Sequence, residues 1–414
     1  MKALGRAAAL VAAGATLAGC AGGPGSGGSA EKISDGKVVL AVLNDQSAIY
    51  ADLSGKSSVT AVEMAVEDYK AKYGDKAVAK DIEVVSADHQ NKPEVANSKA
   101  QELYDRRHAD VVLDVPSSAA ALAVAGIAKS KKKIFMDIGA ATTELEGAQC
   151  NKYTFHYGYN TYMLAHGTGD TVTKDGSKNW YIVYPDYAFG QDMQKNFTAA
   201  VEGAGGKVVQ SDPAPFPNDN FSTFLLKAPG LSPKPEVLGT MQAGGDLVNL
   251  VKQYNEYKLR DKGIGLAVGL MFITDIHSLG PDALAGTKFT DAWYWNASPE
   301  NRAWADKFQA KANKRPSFPN AANYSAATQY LEAVQRAGTD GSDAVVKQLE
   351  GYKFEDAFAK NATIRAEDHL LLHDVSLAQV KPSSEVKEPW DYEKILSTIP
   401  ADQAFQPAGA ACKL

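Results

Sequence analysis

Apolar residues along the chain gather into short unbroken runs, separated by stretches of helical period. Residues 38–43 (VVLAVL) form such a run and predict a buried strand. A polar loop, 44–56, follows. A helix is then predicted from about Ser57-Ser58, with Val59, Val62, Ala65, Val66 and Tyr69 on one face at three-to-four spacing. The alternation continues with a strand at 82–85, a helix at 94–104 and a strand at 111–115. That strand runs into Pro116-Ser117-Ser118 and an alanine-rich helix, and a further strand is predicted at 134–138. After Asn160 the rhythm restarts, with strands at 180–184, 207–209, 237–241 and 266–272 and a helix from about Gly190. Repetition this regular implies parallel sheets with right-handed crossovers. Two series of similar length imply an α/β protein of two doubly wound lobes. Ligands of such sheets bind beyond the carboxyl ends of the strands, so the loops there form the candidate site.

The N-terminal segment has another pattern. Residues 1–20 (MKALGRAAALVAAGATLAGC) carry Lys2 and Arg6, then an apolar core, then small residues ending at Cys20. That order predicts a secretory signal peptide over 1–19, with a core too short to span a membrane as a mature helix. Leu17-Ala18-Gly19-Cys20 is similar to the lipobox of bacterial lipoproteins, which implies lipidation of Cys20. Plain secretion, with Cys20 passed over, is the alternative. The Gly/Ser-rich stretch that follows reads as a flexible tether over 20–36. The expectation is an exported, membrane-anchored domain, in a periplasm or on the outer face of the cell membrane.

Loss of Lys2 and Arg6 moves the formal charge from −6 to −8. A mildly acidic chain with scattered cations lacks the basic footprint that nucleic acid requires, so no such partner is expected. No later apolar run approaches membrane-spanning length. Besides Cys20 the chain contains only Cys150 and Cys412. In an oxidising compartment these are expected to form one disulfide that ties the C-terminal tail to the chain near Cys150; two buried free thiols are the alternative.

Signals for catalysis are poor. The chain has no P-loop, no Gly-x-Ser-x-Gly elbow and no Cys-x-x-Cys pair, so neither an enzyme nor a cofactor is expected. Gly263-Ile264-Gly265 precedes a strand instead of following one, which excludes a dinucleotide loop. His369 and His373 have only Asp368 and Asp374 beside them, and no metal site is expected. Ser117 and Ser118, by contrast, sit between a strand and a helix start. Backbone N–H groups, hydroxyls and the helix dipole there favour an anion. Ala140 and Thr142 occupy the equivalent turn of the next unit. Ser117 and Thr142 also suit helix caps, and the two roles share a geometry.

The loop 42–51 (VLNDQSAIYA), closed by Gly55 and the helix through Met64-Ala65, resembles the opening of solute receptors of branched-chain amino acid type ABC transporters. Ala48 stands where that family usually has glycine. Four later segments fit the family in order and spacing: Pro116-Ser117-Ser118, Gly139-Ala140-Ala141-Thr142, Asp186-Tyr187-Ala188-Phe189-Gly190 and Ala243-Gly244-Gly245-Asp246. The resemblance runs from about Lys37 to the C-terminus. It implies a type I periplasmic binding protein, two lobes joined by three crossover strands and closing on a solute. The crossings are expected near 155–159, 293–297 and 351–358. Lobe 1 is then 37–157 with 297–350, lobe 2 is 158–296 with 351–398, and 399–414 is a tail.

In that family the turns at Ser117, Ser118, Ala140 and Thr142 hold the solute carboxylate. Tyr187 and Phe189 lie in its aromatic turn, and Asp275 falls where amino-acid-binding members place an acid for the ligand ammonium. Ser47 belongs to the first ligand loop, and Asp246 reads as a helix N-cap. Tyr50, Tyr159, Trp295 and Tyr324 are candidates for an apolar wall, two of the four being expected in the cleft. The implied function is that of a monomeric ABC-importer receptor delivering a small carboxylate-bearing solute, a hydrophobic or branched-chain amino acid, to a permease. The alternatives are a receptor for an aromatic acid or amide, or an exported sensor of the same fold.

Overall fold

The computed structural model describes residues 33–414, so the leader, Cys20 and most of the tether lie outside the described residues. Lobe 1 is built on β1 (Val38–Asn44), buried at all seven positions. It pairs in parallel with β2 (Ile82–Asp88) on one side and β3 (Val111–Asp114) on the other; β4 (Ile134–Asp137) and β5 (Thr154–His156) extend the sheet in the order 2-1-3-4-5. The crossovers carry α1 (Ser57–Tyr73), α2 (Pro93–Asp105) and α3 (Ser118–Lys131). Helix α1 buries Ala61, Val62, Ala65, Val66 and Tyr69, most of the stripe that its periodicity predicts. Pro93 opens α2, where its missing N–H costs nothing.

Lobe 2 starts with α4 (Thr161–Leu164) and α5 (Asp170–Lys174), joined by a π turn. Its parallel sheet contains β6 (Asn179–Pro185), β7 (Lys207–Ala214), β8 (Val237–Thr240) and β9 (Gly265–Val268), in the order 7-6-8-9. Helices α6 (Ala188–Gly203), α7 (Ser222–Lys227), α8 (Gly244–Glu256) and α9 (Ile273–Leu279) make its crossovers, and β10 (Lys288–Asp291) follows. The chain then returns to lobe 1 for α10 (Pro299–Ala312), α11 (Phe318–Ala337) and α12 (Ser342–Leu349), with α11 packed along α1.

The next segment departs from expectation. Short strands β11 (Lys353–Phe354), β12 (Ala362–Ile364) and β13 (Leu371–Leu372) form an antiparallel sheet on the lobe 1 side. Leu370 bridges to His156 in parallel, and the His369 ring stacks on Phe155 with centroids 4.2 Å apart. The segment covers what would otherwise be the open edge of β5. Residues 351–372, expected in lobe 2, therefore belong to lobe 1, and the third crossing falls at His373-Asp374. The other two fall between β5 and α4 and between β10 and the helix that begins at Pro299. Back in lobe 2, β14 (Val375–Val380) and β15 (Glu393–Ile399) complete an antiparallel sheet in the order β10-β14-β15, and α13 (Ala401–Ala404) leads into the tail.

The tail runs from lobe 2 onto lobe 1. Phe405 packs on His373, Gln406 donates to Glu146 Oε1 at 2.9 Å, and Cys412 is joined to Cys150 by a disulfide, with Cα atoms 5.5 Å apart. The disulfide is thus a fourth covalent link between the lobes. The histidines are spent on structure: His373 Nε2 meets Gly158 O at 2.7 Å and His369 Nε2 meets Glu350 at 3.2 Å. Among the described residues no helix is long and apolar enough to cross a membrane, and no three metal-ligating side chains cluster.

Candidate functional site

Both parallel sheets share one order, 2-1-3-4 in lobe 1 and 7-6-8-9 in lobe 2. Each therefore has a switch point where successive connections leave in opposite directions: β1/β3 and β6/β8. The loops beyond these pairs face each other across the cleft. In lobe 1 the loop after β1 is shaped by Asp45, a buried carboxylate that accepts from Ala48 N at 2.7 Å and Tyr50 N at 2.9 Å. This is an Asx-type turn extended by two residues. After β3 the backbone is strained, since Asp114 and Val115 have φ of +85° and +65°. A β-branched residue rarely adopts that region, and such strain concentrates where a site over-determines the chain.

The lobes are in contact. Tyr50 and Tyr187 hydroxyls lie 2.6 Å apart across the cleft, and Phe216 stacks on Tyr187 with centroids 4.4 Å apart. Gly244 has φ +58°, and a Cβ there would lie 2.7 Å from Ile49 O, so only glycine lets the first loop seat on α8. Near the crossings Thr143 N and Oγ1 donate to Asp192 on α6 at 2.7 and 3.0 Å. Tyr159 stands edge-on to Phe318, which stacks on Phe272 of lobe 2 at 5.0 Å.

Two cavities open between the lobes, separated by Ala48 and Ile49. The first, about 440 Å³, is lined by Ser117, Tyr187, Phe216 and Pro217, with Lys92 among its lining residues. The second, about 320 Å³, is polar and lined by Asp52, Gly244, Thr274 and Asp275. Beneath the cleft, β3, β4 and β5 bring Asp114, Asp137 and His156 into register as neighbours. Burial pushes Asp114 up to about 6 and Asp137 well above the carboxylate range. Burial opposes charge on His156 as well, but Glu146, 2.5 Å from Nδ1, outweighs it and raises the imidazole to about 9. Glu146 is held below its ordinary value, because His156, Gln406 and Asn160 together overcome its burial. An anion pair is avoided by keeping the ladder partly neutral.

The expected site residues divide between cleft and scaffold. Ser117 is the N-cap residue of α3, yet its side chain makes no capping bond; it is buried and lines the first cavity. Ser118 Oγ accepts from Ala141 N at 3.4 Å, Thr142 Oγ1 from Glu144 N at 3.4 Å, and Ala140 O from His156 Nε2 at 3.0 Å. All three hold the turn after β4. Tyr50, Tyr159 and Tyr187 stand at the lobe contact, with Phe189 buried beside Tyr187. Ser47 is exposed and donates to Asp88 at 2.6 Å.

Trp295 is elsewhere: fully buried, it lies between the guanidinium groups of Arg315 and Arg302, 4.0 and 4.7 Å from its ring centroid. Tyr324 donates to Asp68 on the outer face of lobe 1. Asp275 lies in the first turn of α9, not at a strand end, and one oxygen accepts from Phe272 N at 2.8 Å; burial raises it to about 7. Asp246 is the third residue of α8, whose N-cap is Ala243, and it accepts from Asn218 N at 3.0 Å. Sequence reasoning missed Asp45 and Phe216. Asp45 has a signal in the turn-forming Asn-Asp-Gln-Ser run, and Phe216 in its place between Pro215 and Pro217.

A family model described as periplasmic binding protein matches residues 37–385. The structure of a periplasmic binding protein from Burkholderia mallei is 43% identical with a TM-score of 0.85, covering 90% of this chain and 97% of that one. A branched chain amino acid ABC transporter periplasmic ligand-binding protein from Burkholderia xenovorans is 34% identical with a TM-score of 0.79, over 90% and 97%. A solute binding protein from R. palustris in complex with benzoate shares the fold at 22% identity, with a TM-score of 0.76 over 91% and 100%. A comparison with curated proteins finds no match. With two α/β lobes, opposed switch points and this match over most of its length, the chain belongs to the periplasmic binding protein family.

Proposed function

We propose that this chain is the solute receptor of an ABC importer, capturing a small carboxylate with an apolar body between its lobes and delivering it to a permease. The observation that carries the reading is Ser117. Its buried hydroxyl, free of any capping bond, stands at the start of a 14-residue helix beside a cavity walled by Tyr187 and Phe216. Helix dipole, N–H groups and hydroxyl suit a carboxylate, and the walls suit its apolar remainder. Export and lipid anchoring at Cys20, as a monomer, belong to the same reading. Mass spectrometry of the native protein should find an acylated N-terminal Cys20; an unmodified, later N-terminus would count against it.

Two ligand classes compete. A hydrophobic or branched-chain amino acid requires an anionic partner for its ammonium, which Asp275 would supply. Asp275 lines the second cavity, however, beyond Ala48 and Ile49 from Ser117, and one of its oxygens is held by Phe272. That separation favours the second class, an aromatic acid without an ammonium, for which Tyr187 and Phe216 offer ring faces. Calorimetric titration of leucine and benzoate against Ser117→Ala and Asp275→Asn separates the classes. Ser117→Ala should weaken either ligand by about 1.5–3 kcal/mol, the scale of a hydrogen bond to a charged group. Asp275→Asn should cost an amino acid about 3–5 kcal/mol and leave an aromatic acid unaffected. If Ser117→Ala binds as the parent does, the carboxylate site lies elsewhere.

A further inference from the structure

Gln242 lies in the loop between β8 and α8, at the lobe 2 switch point. Met241 N continues the β6 pairing through Val183 O at 2.9 Å, and Gln242 N turns back to Thr240 Oγ1 at 3.3 Å. Two residues on, Gly244 receives Ile49 and Tyr50 of lobe 1. Gln242 thus sits at the edge of its sheet, two residues from the lobe contact, with no exposed surface. Yet neither its Oε1 nor its Nε2 has a hydrogen-bond partner among the described residues. A primary amide offers two donors and an acceptor, and burying all of them unpaired is strongly unfavourable. Proteins keep such groups where function uses them.

The carboxyl edges of both sheets share this property. In lobe 1, Asn44 Oδ1, Asp114 Oδ1 and both Asp137 oxygens have no partner among the described residues, and in lobe 2 neither has Thr274 Oγ1. Gln242 differs from each of the lobe 1 groups: unlike Asp114 and Asp137 it cannot ionise, and unlike Asn44, whose Nδ2 already donates to Gly55 O and to Asp114, its side chain is wholly uncommitted. No hydrogen bond among the described residues fixes which way its amide faces, so it can present either its donor or its acceptor end.

We propose that Gln242 is a specificity-determining residue that reads a hydroxyl or carboxamide on the solute, at the end away from its carboxylate. The proposal rests on the solute-capture reading above and narrows it, because a purely aliphatic or unsubstituted aromatic tail would leave the amide unpaired in the closed cleft. A site whose buried polar groups need a partner rejects the analogue that lacks one more strongly than an apolar pocket rejects an added group.

The test uses two pairs of acids differing in one hydroxyl, threonine against valine and 4-hydroxybenzoate against benzoate, titrated into the parent protein and Gln242→Met. Methionine keeps the length and removes both polar atoms. The expected result is a preference of at least about tenfold for the hydroxylated member of one pair in the parent, lost in Gln242→Met. The ligand-free thermal midpoint of the variant should stay unchanged or rise, because an unpaired buried amide is replaced by an apolar group of similar shape. A preference that survives in Gln242→Met, no preference in a parent that binds, or a fall in the ligand-free midpoint would overturn the proposal and leave solute capture standing. If none of the four acids binds either protein, the carboxylate reading of the cleft falls and this inference with it.

Discussion

At the carboxyl edge of lobe 1, β1, β3, β4 and β5 end in Asn44, Asp114, Asp137 and His156. The strands of lobe 2 with the matching order, β6, β8 and β9, end in Pro185, Thr240 and Val268. One topology thus carries two chemistries. Lobe 1 presents an edge of ionisable groups, only partly hydrogen-bonded, with strained backbone at Asp114 and Val115, and lobe 2 presents aromatic rings and the unpaired, un-ionisable Gln242 amide. The difference lies in the loops and strand ends, where a doubly wound sheet tolerates substitution without losing its core. In the reading proposed above, lobe 1 holds the polar end of a solute and lobe 2 covers it.

The comparison is broken most forcefully by freeing one lobe from the other. The tail leaves β15 in lobe 2 and is fixed to lobe 1 at Cys150, closing a loop of 262 residues. Replacing Cys150 and Cys412 together by serine should cost roughly 2–4 kcal/mol in denaturant unfolding. Without ligand, small-angle scattering should also show a larger radius of gyration, since one of four inter-lobe links is gone. A stability loss with unchanged dimensions would mean that the tail braces lobe 1 and does not restrain the cover.

The polar edge of lobe 1 predicts its own pH dependence. His156 goes from 6.5 to about 9 on folding, so its contribution is complete below pH 6.5 and is lost as pH rises through 9. The shift corresponds to about 3 kcal/mol at most. Asp246 and Asp275 are each raised to about 7, so the stability they contribute falls away between about pH 3.8 and 7, largely below this window. Unfolding free energy measured from pH 6 to 9.5 should fall in the parent and fall less steeply, from a lower level, in His156→Gln, where the raised carboxylates Asp137, Asp291 and Glu393 still titrate. A parallel decline in the variant would place the titrating group elsewhere.

Much of this arrangement is legible in the chain, for physical reasons that differ by element. Strands such as β1, buried on both faces, must be apolar throughout, so 38–43 announces itself; helices such as α1 must keep a stripe. The assignment of 351–372 is not legible. Its strands are two or three residues long, and what ties them to lobe 1 is a bridge from Leu370 to His156, more than two hundred residues away. Trp295 looks like a cleft aromatic until Arg315 and Arg302 are seen to enclose it. That Asp275 also accepts from Phe272 N at the start of α9 is not legible either, because a capping bond leaves no mark on composition. Gln242 has no pattern at all: a lone amide in Met-Gln-Ala-Gly-Gly becomes notable only once its burial is known.

The smallest effect concerns the single hydroxyl pair that joins the two chemistries. Tyr50 of lobe 1 is almost fully buried and Tyr187 of lobe 2 is half-buried, and burial raises both phenols above their ordinary range, so the bond between them stays neutral. A neutral hydrogen bond is worth about 0.5–1.5 kcal/mol net. The two truncations are not equivalent, however. Tyr50→Phe leaves the hydroxyl of a half-buried side chain, and should weaken ligand affinity by about tenfold or less. Tyr187→Phe strands the Tyr50 hydroxyl, which must shed water each time the lobes close. Its cost should lie nearer the ~1–3 kcal/mol of an unsatisfied buried group. The double variant should then bind better than Tyr187→Phe alone, because the stranded hydroxyl is gone. Stopped-flow dissociation of the ligand identified by the titrations, run on all four proteins, closes the cycle. Equal single effects that simply add in the double variant would show that the hydroxyls do not act as a pair, and that the cover is held shut by its rings alone.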